Sequence, residues 1–361
     1  YKVLEFRRVL FRSSVSGTNS YAGAITLGAS GARINADTGS TQTLTGGITG
    51  ATYPLTVGGV GNTVISTGVI ATTSGTLTKD GLGTLTLSAA NTYAGATTVN
   101  GGTLSVTSTG SIGGSAGVTT TALTISSATL DLQRAITVGS LSMSGTSPAI
   151  TNSTGTSSLV VSGTSTLAGS ITTSGLQTYT GAVTLGAATT LTTGSSTGAI
   201  LFSSTVNGAF TLSTNTTGST TFNSAVGSTV TGLTINTATL TAAAIGLATN
   251  SALSVTNSGA GSVAGIISGT GVALTKAGAG TLTLSGANTY GGSTTINGGT
   301  LNVTSSGTLG NSVSALSISS ATLDMQRAIT VGSVIMSGTS PAISNSTGAS
   351  SLVVSGTSTL A

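Results

Sequence analysis

The chain has 361 residues, of which 55 are Gly and only 4% are charged, against about 25% in an ordinary soluble domain. It contains no Cys and no His, which excludes disulfides, thiol nucleophiles, imidazole bases and the usual zinc sites. Thr, Ser or Gly interrupts the apolar residues every few positions, and no run approaches the roughly 18 apolar residues of a membrane span. These short alternating runs predict many brief strands separated by turns.

The first thirteen residues differ in composition from the rest of the chain. They carry Lys2, Arg7, Arg8 and Arg12, whereas from Ser14 onward five basic residues stand against four acidic ones, a net charge of 5 − 4 = +1. The formal charge of +4 therefore arises mainly at this end. A nucleic-acid partner is not predicted, because such a partner requires a basic surface on the folded domain.

The stretch from Glu5 to Ser13 resembles, codon for codon, the translation of a common short-read sequencing adapter. We therefore interpret residues 1–13 as a sequencing-adapter artefact and exclude them from the fold. A basic signal-peptide region or a nucleic-acid-binding arm is the alternative, but no apolar segment or cleavage site follows. Residues 14–361 are predicted to be a single repetitive domain.

Two near-duplicate segments, at about 75–168 and 272–361, dominate this domain. The first contains LTKDGLGTLTLSAANTYAGATTVNGGTLSVTS and the second LTKAGAGTLTLSGANTYGGSTTINGGTLNVTS. The offset between the copies falls from 197 residues in this stretch to 193 further on, so four residues are lost in between. Because Ala361 corresponds to Ala168 inside a repeat, we expect the chain to be a fragment.

Within each copy, strands of three to six residues alternate with turns rich in Gly, Asn or Ser. Leu85 and Leu87 point to one side of their strand, and the hydroxyls between them point to the other. Such a unit buries its apolar face only by stacking on similar units. The predicted fold is an all-β, parallel β-solenoid of about 15 to 20 turns. A sandwich or propeller is the alternative, but 3% aromatic residues is low for either.

The pattern LTKxGxGTLTLSxANTYxGxTTxNGGTL, at 77–104 and 274–301, closely resembles the autotransporter-associated β-strand repeat of type V secretion passenger domains. The sequence between the copies is similar, more loosely, to repetitive bacterial adhesins. The resemblance implies a right-handed β-helix that is exported through the outer membrane of a Gram-negative bacterium and is exposed at the cell surface or secreted. It also implies a signal peptide and a C-terminal translocator barrel in the full-length protein. The fragment is expected to be uncapped, and its strand edges are expected to associate.

Charged residues recur together at two places, Asp131 with Arg134 and Asp324 with Arg327. We interpret each as an outward-facing, solvated pair worth less than about 1 kcal/mol. The alternative is a polar binding strip or a carboxylate for sugar cleavage. Glycosidase chemistry requires two carboxylates about 5 to 10 Å apart, and each copy supplies one. No catalytic, cofactor-binding or metal-binding residue is predicted.

Asn and Tyr also recur at equivalent turns, at Asn91, Tyr93, Asn288 and Tyr290. The amides are expected to satisfy backbone groups of neighbouring turns, and the tyrosines to pack across turns. The alternative is an exposed aromatic platform for carbohydrate, to which Tyr21 and Tyr179 would contribute.

The sequence therefore predicts a structural or adhesive passenger segment without catalytic activity or cofactors. Its expected partners are glycans or proteins of host or bacterial surfaces, or further copies of itself, bound by many weak contacts along a hydroxyl-rich surface. The alternatives are the non-catalytic scaffold of a larger secreted enzyme, an enzyme built on the β-helix, and ice binding. Ice binding requires Thr-x-Thr at the same place in every turn, and the irregular spacing of these motifs argues against it.

Overall fold

A computed structural model describes residues 10–13, 16–114, 121–194 and 198–360. The described residues form two compact units, which divide between Gln177 and Thr178. Each unit is a β-solenoid of parallel strands; together the described residues make about 16 turns and contain no helix. The predicted all-β class, parallel stacking and number of turns are thus confirmed, and the handedness stays a prediction. No helix among the described residues is long and apolar enough to cross a bilayer.

The first unit consists of short strands joined by turns. Its strands are β1 (Leu10–Ser13), β2 (Gly17–Tyr21), β3 (Ile25–Thr26), β4 (Ala32–Ala36), β5 (Ser40–Leu44), β6 (Ile48–Thr49), β7 (Leu55–Gly59), β8 (Asn62–Ile65), β9 (Ile70–Ala71), β10 (Leu77–Lys79), β11 (Thr84–Leu87), β12 (Thr97–Val99), β13 (Thr103–Val106), β14 (Ala122–Ser126), β15 (Thr129–Leu132), β16 (Ala135–Val138), β17 (Ser140–Ser144), β18 (Ala149–Thr151), β19 (Ser158–Val161) and β20 (Ser165–Thr173). The boundary between the units lies within β21 (Gln177–Tyr179).

The second unit has the same organisation. Its strands are β22 (Val183–Thr193), β23 (Ile200–Phe202), β24 (Val206–Asn207), β25 (Thr211–Thr216), β26 (Ser219–Phe222), β27 (Gly232–Thr237), β28 (Thr239–Ala242), β29 (Ile245–Gly246), β30 (Ala252–Asn257), β31 (Gly261–Val263), β32 (Ile267–Ser268), β33 (Ala273–Ala277), β34 (Thr281–Leu284), β35 (Thr294–Ile296), β36 (Thr300–Val303), β37 (Ala315–Ser319), β38 (Thr322–Met325), β39 (Ile329–Val331), β40 (Ser333–Ser337), β41 (Ala342–Ser344), β42 (Leu352–Val354) and β43 (Ser358–Leu360).

Two long parallel ladders run through each unit. In the first unit they are β4-β7-β10-β12-β14-β17-β20 and β5-β8-β11-β13-β15-β18-β20. In the second unit they are β22-β25-β27-β30-β33-β35-β37-β40-β43 and β23-β26-β28-β31-β34-β36-β38-β41. Each strand thereby pairs with the equivalent strand one turn away, as stacking of repeated units requires.

The core is built from inward-facing side chains that stack in columns. Leu85 and Leu87 are fully buried, as the alternation predicts, and their partners in the next turn are Leu104 and Val106. In the second unit the aromatic rings of Tyr179, Phe202 and Phe222 stack in the same way, with centroids 5.3 and 4.8 Å apart. Stacking of like on like therefore fills the interior of both units.

The segment interpreted as foreign is partly described. Residues 1–9 lie outside the described residues, and Leu10–Ser13 pairs in parallel with β4. This pairing does not test where the segment comes from, so the adapter interpretation stays a prediction. The single domain expected over residues 14–361 also stays a prediction.

Candidate functional site

Two lysines are buried in the core, Lys79 in the first unit and Lys276 in the second, with 2% and 0% of their surface exposed. Lys79 lies on the same face of β10 as Leu77, and the adjacent turns place Val57 and Val99 on either side of it. Sequence reasoning did not single out these residues. The signal was present, because a residue two positions after an inward leucine points inward too.

The ammonium group of Lys79 donates to three backbone carbonyls. They belong to Asp80 at 2.8 Å, Gly81 at 2.9 Å and Gly101 at 3.0 Å. Three acceptors match the three donors of an ammonium group, and Gly101 lies one turn further along the chain. Burial lowers the pKa of Lys79 to about 8, although the nearby Asp80 charge opposes this shift.

Lys276 repeats this arrangement in the second unit. Its ammonium donates to Ala277, Gly278 and Gly298 at 2.7, 3.0 and 3.2 Å. Burial lowers its pKa to about 8 as well. Gly278 has a φ of +78°, a backbone conformation that is unfavourable for residues other than glycine. The lysine and the glycine together fix the turn that follows the strand.

Asn91 and Asn288 each join their own turn, by hydrogen bonds, to the turn before it and to the turn after it. Asn91 is fully buried; its Oδ1 accepts from the amide of Ile70 at 2.9 Å, and its Nδ2 donates to the carbonyl of Ser111 at 2.8 Å. Asn288 makes the equivalent bonds, of 2.8 and 2.7 Å, to residues 21 before and 20 after it. These side chains therefore satisfy backbone groups of neighbouring turns.

Tyr93 and Tyr290 are fully buried beneath the same turns. The phenol of Tyr93 bonds to Oγ1 of Thr97 at 2.7 Å, and that of Tyr290 bonds to Thr294 at 2.6 Å. Thr97 takes the place of a leucine in an inward column, so the phenol and the buried hydroxyl satisfy each other. Burial raises the pKa of both phenols, although the hydrogen bond with the threonine acts to lower it.

The alternative of an exposed aromatic platform is wrong for three of its four members. Tyr93, Tyr179 and Tyr290 have no exposed surface, and only Tyr21 is partly exposed. Each of the three buried tyrosines lies on the inward face or under a turn, where it contributes to the core.

Asp131 is also buried, at 8% exposure, although it points away from the core. Its carboxylate accepts from Gln133 at 3.0 Å, from Ser105 at 3.1 Å, and from the amide and hydroxyl of Ser153 at 2.9 and 2.7 Å. Burial alone would raise the pKa of Asp131, but these hydrogen bonds outweigh it and lower the pKa. The predicted solvated pair with Arg134 is wrong, because Ser153 of the next turn covers the carboxylate.

Asp324 occupies the equivalent position in the second unit, where Asn302 stands opposite it in place of Ser105. It is 8% exposed and accepts from the amide and hydroxyl of Ser346 at 2.8 and 2.7 Å. The predicted solvated pair with Arg327 is therefore wrong too. Among the described residues, the one ion pair joins Arg33 to Asp80 at 2.7 Å, and no three acidic side chains stand close enough to hold a metal ion.

The two arginines that follow these aspartates line equivalent clefts of different size. Arg134 borders a space of about 10 Å³, and its Nη1 donates to the carbonyl of Gly110 at 2.6 Å. Arg327 borders a cleft of about 190 Å³. The second cleft is thus much larger than the first.

Each unit also carries an outward row of hydroxyl side chains, which we call its hydroxyl row. In the first unit, the row consists of Thr56, Thr78, Thr98, Thr124, Ser142 and Thr166, each in register with the next. In the second unit, it consists of Thr190, Ser213, Thr234, Ser254, Thr275, Thr295 and Ser317. The irregular spacing seen in the sequence is absorbed by turns of different length, so the hydroxyls align.

A parallel solenoid whose turns are joined by buried Lys and Asn side chains is a repeat protein of the stacked-turn class. Residues 77–106 and 274–303 match the family model described as passenger-associated-transport-repeat. The chain thus carries two copies of the repeat of autotransporter passengers, as its sequence predicts, and this repeat indicates an exported passenger domain. Comparison with curated proteins and with solved structures found no match.

Proposed function

We propose that this chain is a structural and adhesive segment of a surface-exposed or secreted autotransporter passenger, and that it has no catalytic activity of its own. The observation that carries the proposal is the pair of passenger-associated-transport-repeat matches, at 77–106 and 274–303. The buried Lys, Asn and Asp side chains support it further, because their polar atoms form hydrogen bonds between turns.

The hydroxyl rows support the adhesive part of the proposal. Parallel strands stack about 4.8 Å apart, so each row presents hydroxyls at a regular interval. Such groups both donate and accept hydrogen bonds. Many weak contacts along a row add up by multivalency, so binding to surface glycans, surface proteins or a second copy of the chain needs no single dominant contact.

Surface exposure is tested with an antibody against the purified chain, applied to intact and to permeabilised cells of the bacterium that carries the gene. Labelling of intact cells, or of the culture medium, is the expected result. Labelling that requires permeabilisation would contradict export.

Adhesion is tested by comparing cells that express the chain with or without Thr98→Glu, which places a charge in the hydroxyl row of the first unit. We expect slower settling of cell suspensions and weaker attachment to glycan-coated surfaces. Thr92→Glu, at an exposed position outside the row, is the matched control. Equal attachment by both variants and by the unaltered chain would contradict an adhesive role for the hydroxyl row of the first unit and leave the test of export unaffected.

We also propose ice binding as a second candidate function, favoured by the register of the hydroxyl rows. Ordered rows of hydroxyls favour this function, and each row supplies one Thr or Ser hydroxyl per turn despite the uneven spacing along the sequence. Thermal hysteresis of the purified chain, reduced by Thr98→Glu and not by Thr92→Glu, is the expected result. Freezing that is unaffected by the chain would contradict it.

A further inference from the structure

The cleft beside Arg327 has an apolar floor and a polar rim. Leu309 and Ile329, which are 3% and 5% exposed, form the floor. Thr308, Ser312 and Thr330 also line the cleft, and the hydroxyl of Thr308 donates to the carbonyl of Asn288 at 2.7 Å. Apolar surface with a few convergent polar groups is the usual composition of a small-ligand site.

The floor of this cleft is packed closely against the core. Gly310, between Leu309 and Ser312, has a φ of +63° and lies directly over the ring of Tyr290. An added Cβ at Gly310 would clash with the Tyr290 carbonyl and ring. Tyr290 is in turn hydrogen-bonded to Thr294, and side chains that are already packed in this way lose little freedom on binding.

The guanidinium of Arg327 is only weakly engaged by the protein. Its Nε lies 3.4 Å from the carbonyl of Ala328, and its Nη1 lies 3.4 Å from that of Ser305, both long for hydrogen bonds. Asp324, the nearest acidic residue in sequence, is held by Ser346. Arg327 therefore retains donors for a ligand, since a guanidinium carries five N–H groups.

Arg134 provides the internal comparison. It occupies the equivalent position in the first unit, but its Nη1 is committed to the carbonyl of Gly110 at 2.6 Å. The space beside it, about 10 Å³, is roughly the volume that one water molecule needs. The two arginines thus occupy equivalent sequence positions, but the guanidinium of Arg327 has more donors available to a ligand than that of Arg134.

We propose that the cleft beside Arg327 binds the anionic group of an acidic sugar residue. A planar guanidinium forms paired hydrogen bonds with a carboxylate, and it binds a sulfate through the same donors. The apolar floor fits one face of a sugar ring, and the hydroxyls of the rim fit its hydroxyl groups. At about 190 Å³, the cleft is below the roughly 300–1,000 Å³ of a drug-sized site, so it admits one ring.

The cleft lies outside the hydroxyl rows on which the proposed adhesion rests. Binding of a soluble sugar to the purified chain requires neither export nor attachment of cells. Failure of one proposal is therefore distinguishable from failure of the other.

The experiment is isothermal titration calorimetry of the purified chain with three probes. Trigalacturonate supplies carboxylates, a heparin-derived tetrasaccharide supplies sulfates, and maltotriose is the neutral control. We expect at least one acidic probe to bind and maltotriose not to bind at ligand concentrations up to about 10 mM. The acidic probe that binds more tightly identifies carboxylate or sulfate as the preferred group.

Variants then locate the site. Arg327→Gln should weaken binding of the acidic probe about tenfold or more, the loss expected for a charged hydrogen bond. Thr330→Trp, at an exposed strand position, should fill the cleft and have a similar effect. Arg134→Gln is the matched control and should change the affinity less than about twofold.

Three results would overturn the proposal. The first is that neither acidic probe binds. The second is that maltotriose binds as tightly as the acidic probes. The third is that the Arg327→Gln and Arg134→Gln variants bind the acidic probe with equal affinity. Urea unfolding of each variant separates a change of affinity from a loss of fold.

Discussion

The two passenger-associated-transport repeats, 77–106 and 274–303, differ at the tip of their first turn and agree in their buried lysine, asparagine and tyrosine. Asp80 and Leu82 of the first turn are replaced by Ala277 and Ala279 in the second. Leu82 is 78% exposed, and Asp80 pairs with Arg33 at the surface. The buried lysine, asparagine and tyrosine are the same in both copies, and so are the bonds that they make. The comparison shows that the turn tolerates changes at its tip while its buried polar contacts remain the same.

The largest expected effect comes from removing the asparagine that joins three turns. Asn91→Ala and Asn288→Ala should each lower the free energy of unfolding by about 2–4 kcal/mol, because each leaves a buried amide and a buried carbonyl without partners. Urea unfolding measures the loss. Asn100→Ala, at an exposed position, is the control and should change stability by less than about 0.5 kcal/mol. A large loss in only one copy would break the equivalence of the two interiors.

The buried lysines should give the stability a distinctive pH dependence. Below pH 8 they are protonated in both states. Above about pH 8 the folded chain releases these protons, whereas the unfolded chain keeps them until about pH 10.4. The unfolded state then binds more protons, so the free energy of unfolding should rise with pH, by up to about 1.4 kcal/mol per pH unit for each lysine.

Urea unfolding between pH 7.5 and 9.5 measures this rise. Higher pH is avoided because the raised pKa of Tyr93, Tyr179 and Tyr290 makes stability fall once the unfolded tyrosines ionise, near pH 10. Lys79→Met and Lys276→Met should each remove about half of the rise, and the double variant should remove all of it. A double variant with the slope of the unaltered chain would contradict the role of the lysines.

The smallest effect is expected at the tip of the turn. Asp80→Ala converts the first turn towards the second and removes the ion pair with Arg33. Because the two side chains are 31% and 39% exposed, the loss should be less than about 1 kcal/mol in urea unfolding. Leu82→Ala is the control, with an expected change within about 0.5 kcal/mol. A loss comparable to that of Asn91→Ala would show that the ion pair at the surface contributes as much to stability as the buried asparagine.

Much of the fold could be predicted from local patterns. Alternation in the sequence from Thr84 to Ser88 places Leu85 and Leu87 in the core, and near-identical segments stack as repeats do. The same alternation could have placed Lys79 beside Leu77 in the interior. It could not have supplied the acceptors, because the carbonyls of Gly81 and Gly101 converge only once two turns are stacked.

The candidate sites depended more on contacts that the local pattern does not contain. Asp131 does point away from the core, but Ser153, 22 residues later, lies over it and removes it from solvent. The hydroxyl rows were missed for a related reason. Thr98 and Thr124 are 26 residues apart whereas Thr124 and Ser142 are 18 apart, and the length of each turn compensates so that they align.

The buried asparagines have a consequence for how such a chain acquires its structure. Asn91 bonds to residues 21 before and 20 after it, and Lys79 reaches 22 residues ahead. Each of these partners lies within about one turn of sequence, so the search for these contacts is short, and a finished turn is the template for the next. A chain of this kind can therefore fold progressively from one end, with each new turn stacking on the turn formed before it.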